Sequence, residues 1–255
     1  MTTTEHKQRA RVAAIAVFVV FVLNGLTFAS WVSRLPTVRD ELDLSPNQMG
    51  LVLLVGATGS LLSLPLTGRI IDAIGSRRTV LAAMALAILG LTVAVVGVTQ
   101  GSVVIVGAGL FASMMGIGSW DMSMNFAGTV AERGLARAIM PWFHGGFSLG
   151  AVLGAGGGTV ASAVGLGLPG HLGIALAVVA LGVVVSVRWF LPDVEAPVDD
   201  GVPPVARGGF ARTWLEGRTL LIGLIVLGAA LTEGAANDWL ALAVVDGFGT
   251  SNSTG

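Results

Sequence analysis

Cysteine is absent from the 255 residues, which excludes a disulfide framework, a thiolate metal site and a cysteine nucleophile. Charge is scarce, at 11% of residues, where a soluble domain carries about 25%. A soluble fold of this length needs that charge to cover its core with polar surface; a bilayer removes the need. The net charge of −1 leaves no bulk field to draw a nucleic acid. Histidines occur only at His6, His144 and His171, too far apart for metal-ligand spacing. Gly107-Ala108-Gly109 lies inside an apolar run and follows no strand, so it is not a dinucleotide fingerprint. No enzyme and no cofactor is expected.

What the chain has in quantity is apolar sequence: 54% hydrophobic residues and a mean hydropathy of +0.84. The charges themselves cut it into spans. Val12–Trp31 is free of charge, and about 20 residues rising ~1.5 Å each cross a hydrocarbon core roughly 30 Å thick. A second span opens on a readable cap, with Ser45 as N-cap, Pro46 at the first helical position and Gln48 closing a capping box, and its apolar stretch runs to about Leu66. Thr79–Trp120 carries no charge and divides at Thr99-Gln100-Gly101-Ser102 into a third and a fourth span. Ala138–Val187 divides at Gly165–His171, which holds Pro169 and Gly170, into a fifth and a sixth. A linker rich in proline and acidic residues follows Leu191, and a seventh span runs from Thr219 to about Val245.

The basic residues set the orientation. Of the 14 lysines and arginines, Lys7, Arg9, Arg11, Arg69, Arg77, Arg78, Arg133, Arg137, Arg188, Arg207, Arg212 and Arg218 fall on the side of the N-terminus, and Arg34 and Arg39 on the other. This distribution predicts a cytoplasmic N-terminus. The expected organisation is an all-α membrane protein: a six-helix bundle over 1–191, a cytoplasmic linker over 192–218, and the first helix of an incomplete second bundle over 219–255. Two-bundle transporters repeat a six-helix half, so the chain reads as a truncated product lacking about five helices.

The segment Gly68-Arg69-Ile70-Ile71-Asp72-Ala73-Ile74-Gly75-Ser76-Arg77-Arg78 is read as a cytoplasmic loop suited to a gate. Gly68 allows close helix approach, Asp72 can pair with a basic group or a helix N-terminus, Gly75 turns the chain, and Arg77 and Arg78 hold the loop inside. This segment resembles the cytoplasmic signature of the major facilitator superfamily: a glycine, an aspartate four on, a glycine three further, then paired basic residues. Ala73 departs from it, since the family often has a basic residue there. The resemblance implies a major-facilitator-type bundle.

Acids within the hydrocarbon are costly and mark function; Asp121, Glu233 and Asp238 are the candidates. Asp121 and Asn125 share a helical face, and the stretch Gly116 to Asn125 resembles the fourth helix of the fucose–proton symporter family, where a glycine pair precedes an acid and an asparagine follows. Phe143 to Gly150 resembles that family's fifth helix, and the likeness extends over most of residues 12–160. It implies that Asp121 is the protonatable coupling group and favours a sugar. The family's aspartate late in the first helix has no counterpart between Asn24 and Pro36. The Gly-Pro signature of the drug-antiporter branch is missing, since no proline occurs between Trp142 and Leu168. A structural pairing of Asp121 with His144 or Arg137 is the plainer reading.

Asn24, Asn125, Glu233 and Asn237 are expected to line a central cavity suited to a polar solute. Asn24-Gly25 with Trp31, and Glu233-Gly234 with Trp239, occupy equivalent places in the two halves; both tryptophans also suit interfacial anchoring. Gly146, Gly150 and Gly154 fall on one helical face and predict close helix packing. Pro36 to Leu44 reads as an amphipathic connector with Val38, Leu42 and Leu44 on the membrane interface. The expected function is a secondary active transporter, proton-coupled, for a small polar solute such as a sugar, monomeric when complete, in a bacterial plasma membrane. A non-transporting sensor or assembly protein, or an inactive fragment, is the alternative.

Overall fold

In the computed structural model, which describes residues 3–193 and 216–252, helix ends fall largely where the sequence supplies caps and turns. Most of the expected linker, with Arg207 and Arg212, lies outside the described residues. Helix α1 spans Thr3–Val32 and the short α2 Leu35–Glu41. Helix α3, Pro46–Ile74, begins on the expected capping box: the Ser45 amide donates to Gln48 Oε1 at 2.9 Å, and Ser45 Oγ accepts from the Gln48 amide at 3.4 Å. It continues well past Leu66, with Pro65 inside it. A membrane helix tolerates this because side chains re-satisfy freed backbone groups. Ser63 Oγ and Thr67 Oγ1 donate to the nearby carbonyls of Ser60 and Ser63, each at 2.7 Å, whereas the carbonyl that Pro65 leaves without its amide donor is that of Leu61, four residues back.

The segment read as a loop is therefore mostly helix. Gly75 alone separates α3 from α4, Ser76–Thr99, and its φ of +82° is open to glycine and strained for other residues. Helix α4 opens with Arg77 and Arg78, the wrong sign for a helix N-terminus. Asp193 corrects this from a distant part of the chain: its carboxylate accepts from the Ser76 amide and the Ser76 hydroxyl, both at 2.5 Å.

Gly101, with φ +66°, and the N-cap Ser102 separate α4 from α5, Val103–Leu135. Helix α5 runs beyond Trp120, where the charge-free stretch ends, because Asp121 and Asn125 are accommodated on its accessible face. Helix α6, Met140–Ala163, is started by Glu132, whose Oε2 accepts from the amides of Ile139 at 2.6 Å and Met140 at 2.7 Å. The break before α7, Leu168–Ser186, is shorter than expected: Pro169, Gly170 and His171 already belong to the first turn, where proline's fixed φ suits the helix. A 3-10 turn, Val187–Trp189, follows, and α8 covers Gly217–Phe248. Among the described residues, six helices are long and apolar enough to cross a membrane. Helix α6 has the length, 24 residues, and its glycines lower its hydropathy. Among the described residues there is no strand.

Helix α1 packs on α5, α6 and α7, and α5 packs on α3 and α4. Between membrane helices the drive is close van der Waals packing, which small residues permit. A Cβ on Gly25 would collide with the Phe147 carbonyl, one on Gly150 with the Val22 carbonyl, and one on Gly154 would reach 2.6 Å from the Leu26 carbonyl. The expected glycine face of α6 is thus the α1 interface. Gly116 and Gly109 play the same part between α5 and α4, against the backbone at Ala87 and Ala94. Gly68 does not: a Cβ there would meet only Met122 Cε, at an ordinary 3.7 Å.

Two apolar clusters fill the interior. One gathers Phe21, Trp120, Met124, Phe143 and Val183; the other Trp31, Leu35, Val38, Met49, Leu91, Leu110 and Leu242. Trp31 is 1% exposed, so it is a core residue and not an interfacial anchor. Val38 and Leu44 likewise turn into protein, not onto the membrane interface. Arg34, counted among the charges outside the membrane, is 3% exposed. Its guanidinium donates to the carbonyls of Gly158 at 3.4 Å and Leu166 at 3.2 Å, tying the end of α1 to the end of α6. The described residues fall in two units: one runs to Asp193 and includes the last turns of α8 from Ala241, and the other ends at Leu240.

Candidate transport site on helices 5 and 6

Asp121 lies in the second half of α5, roughly 27 Å along the helix from Val103 at ~1.5 Å per residue. One turn further on, Asn125 Nδ2 donates to the Asp121 backbone carbonyl at 2.9 Å and to its carboxylate Oδ1 at 3.3 Å. The pairing follows from their spacing of four on a helix. It fixes the amide and leaves most of the carboxylate's acceptor capacity unused. Asp121 is exposed, so it faces accessible space and not the packed interior.

His144 of α6 lies within electrostatic range of Asp121 and is also exposed. Its imidazole meets Phe21 of α1 edge-on, ring centres 5.6 Å apart, while Phe21 stacks on Phe143 at 5.5 Å. The aromatic pair anchors the histidine, and Glu132, by starting α6, sets its height. Three helices thus bring an acid, an amide and an imidazole to one accessible face. Such a set can accept and release protons and hydrogen-bond a polar molecule. Of the two partners considered for Asp121, His144 is the one within electrostatic range of it.

The other expected site residues stand differently. Asn24 is 1% exposed, and neither its amide nitrogen nor its amide oxygen has a partner among the described residues, a costly state for a buried side chain. Glu233 and Asn237 are exposed on α8 in the other unit, where they share a face. Asp72 is exposed on the last turn of α3, without a hydrogen bond or ion pair among the described residues, and Arg77 and Arg78 are exposed at the start of α4.

Sequence reasoning missed three polar residues with defined work. Arg34 and Glu132 close the two ends of α6, and Asp193 caps α4. A fourth is Arg39 in α2, treated as part of a plain connector. Its Nη1 donates to both carboxylate oxygens of Asp246, at 2.6 and 2.7 Å, and Asn252 donates to Asp40 at 2.9 Å. The clustered charges of Arg39, Asp40, Glu41 and Asp43 were a signal that this stretch has partners.

Comparison with other proteins supports the same architecture. The sequence pattern described as Major Facilitator Superfamily matches residues 16–253. An uncharacterised transporter of Sinorhizobium fredii is 30% identical over 91% of this chain and 59% of its own length. An uncharacterised MFS-type transporter of Yersinia pestis is 30% identical over 95% of this chain and 61% of its own. The membrane protein MosC of Rhizobium meliloti is 27% identical over 90% and 53%. The chain therefore spans between half and two thirds of the length of these relatives. With a helical, multi-pass membrane architecture and a family pattern covering nearly every described helix, the chain belongs to the Major Facilitator Superfamily.

Proposed function

We propose that this protein is a secondary active transporter that couples proton movement through Asp121 to movement of a small polar solute such as a sugar. The observation that carries this reading is the accessible Asp121–Asn125 pair on a membrane-spanning helix, with His144 within electrostatic range. An acid kept at membrane depth on an accessible face is retained at a cost that a purely structural role does not require. The two relatives named as transporters, and the likeness of Gly116 to Asn125 to the fucose–proton symporter helix, support it. The N-terminus lies in the cytoplasm in this reading, and the membrane is a bacterial plasma membrane. Residues 1–191 form the six-helix bundle, 192–218 the linker, and 219–255 the start of the second bundle.

The test is transport in vesicles. Asp121→Asn should abolish uphill solute uptake driven by a pH gradient and preserve exchange of labelled for unlabelled solute. A panel of sugars and polyols, screened by proton uptake on solute addition, identifies the solute. A normally folded Asp121→Asn protein that loses exchange as well would overturn the coupling role.

A further inference from the structure

We infer that the groove between the start of α1 and the 3-10 turn after α7 binds the headgroup of a phospholipid carrying net negative charge. The groove has a volume of about 620 Å³, and Arg9, Arg188, Trp189, Val12, Leu191 and Glu5 are among the residues lining it. Both guanidiniums are exposed, and neither has an ion pair among the described residues. Glu5 leaves the lining with one positive charge in excess.

The surroundings specify a lipid. Val12 begins the first apolar run, so the groove sits at the level where hydrocarbon gives way to headgroups. Trp189 is 60% exposed there, the position in which an indole lies among headgroups. Val12 and Leu191 give the groove an apolar wall beside its charged one, the two-faced character of a headgroup with its first acyl carbons. A guanidinium grips phosphate through two parallel hydrogen bonds. A zwitterionic headgroup offers the phosphate but brings its own cation next to the arginines, so a net negative headgroup is selected. Basic pockets between membrane helices on the cytoplasmic side recognise such lipids. The inference goes beyond the transport reading and does not depend on proton coupling through Asp121; it rests on that reading's cytoplasmic N-terminus and on the chain spanning a bilayer.

The test uses the intact protein in nanodiscs of phosphatidylcholine doped with brominated phosphatidylglycerol or brominated phosphatidylcholine. Quenching of Trp189 is read as the difference between the wild type and Trp189→Phe. Brominated phosphatidylglycerol should quench at a several-fold lower mole fraction, and Arg9→Gln and Arg188→Gln should each reduce that preference roughly five-fold. Arg9→Lys with Arg188→Lys should retain much of it. In the unmutated protein, raising the salt concentration should weaken it by screening. Equal quenching by the two lipids in the wild type, or a preference untouched by both glutamines and by salt, overturns the site. Failure of the transport reading would instead appear in the Asp121→Asn vesicles, with this preference intact.

Discussion

Gly150 and Gly145 share helix α6 but face different surroundings. A Cβ on Gly150 would be driven into the Val22 carbonyl, which is backbone and cannot yield; one on Gly145 meets nothing within 4 Å. Gly150→Ala should therefore destabilise the protein by about 1–3 kcal/mol, the usual cost of overpacking, and lower its melting temperature in detergent. Gly145→Ala should leave stability unchanged or raise it slightly through helix propensity. Equal melting temperatures for the two variants would mean that α1 and α6 do not meet as described. Arg34 poses the complementary case of a loss. Arg34→Ala removes the bonds from the buried guanidinium to the carbonyls of Gly158 and Leu166, and about 1–3 kcal/mol is the expected cost of losing hydrogen bonds from a charged donor. Arg34→Lys recovers only part of it, because one ammonium cannot span both carbonyls as a guanidinium does.

Among the elements, legibility followed distance along the chain. The box at Ser45 and Gln48 was readable because both partners lie within one helical turn. The glycine face of α6 was readable because periodicity is local. The Asp193 cap on Ser76 was not, since 117 residues separate the partners. Glu132 is an intermediate case, reaching Ile139 and Met140 across a loop, 7 and 8 residues away. Asp121, Asn125 and their shared face were legible from spacing. The partner helix was not, and His144 could be named only as one of two options. The end of α5 at Leu135 could not be read from the charge-free stretch, because absence of charge bounds only the apolar run, whereas backbone hydrogen bonding bounds the helix. Glu132→Ala should cost about 0.5–2 kcal/mol, as lost caps do, and should speed amide exchange at Ile139 and Met140 specifically. Unaltered exchange at those two amides would exclude the cap.

For the whole molecule, the pairing of Arg39 with Asp246 links α2 to the last turns of α8, where Leu242 also enters the core around Leu35 and Val38. A transporter that exposes its site alternately must open that end of the molecule. A chain without cysteine makes the matter directly testable. Arg39→Cys with Asp246→Cys should be bridged by a short bifunctional methanethiosulfonate reagent, which spans the gap left by the arginine side chain, and the bridge should stop turnover, with recovery on reduction. Continued transport by the cross-linked protein would show that this contact persists throughout the cycle.

The glycine seam between α1 and α6 has a consequence in time. Gly25 docks against Phe147, roughly 120 residues later in synthesis, and at about 5–20 residues per second that is on the order of 6–24 seconds. Helix α1 packs on α5, α6 and α7, none of which exists when α1 leaves the ribosome. For those seconds the first helix waits in the membrane with Asn24 and a notch at Gly25 unoccupied by any later helix. Biogenesis must therefore shelter it, and slowing translation before α5 should lengthen its exposure to membrane proteases.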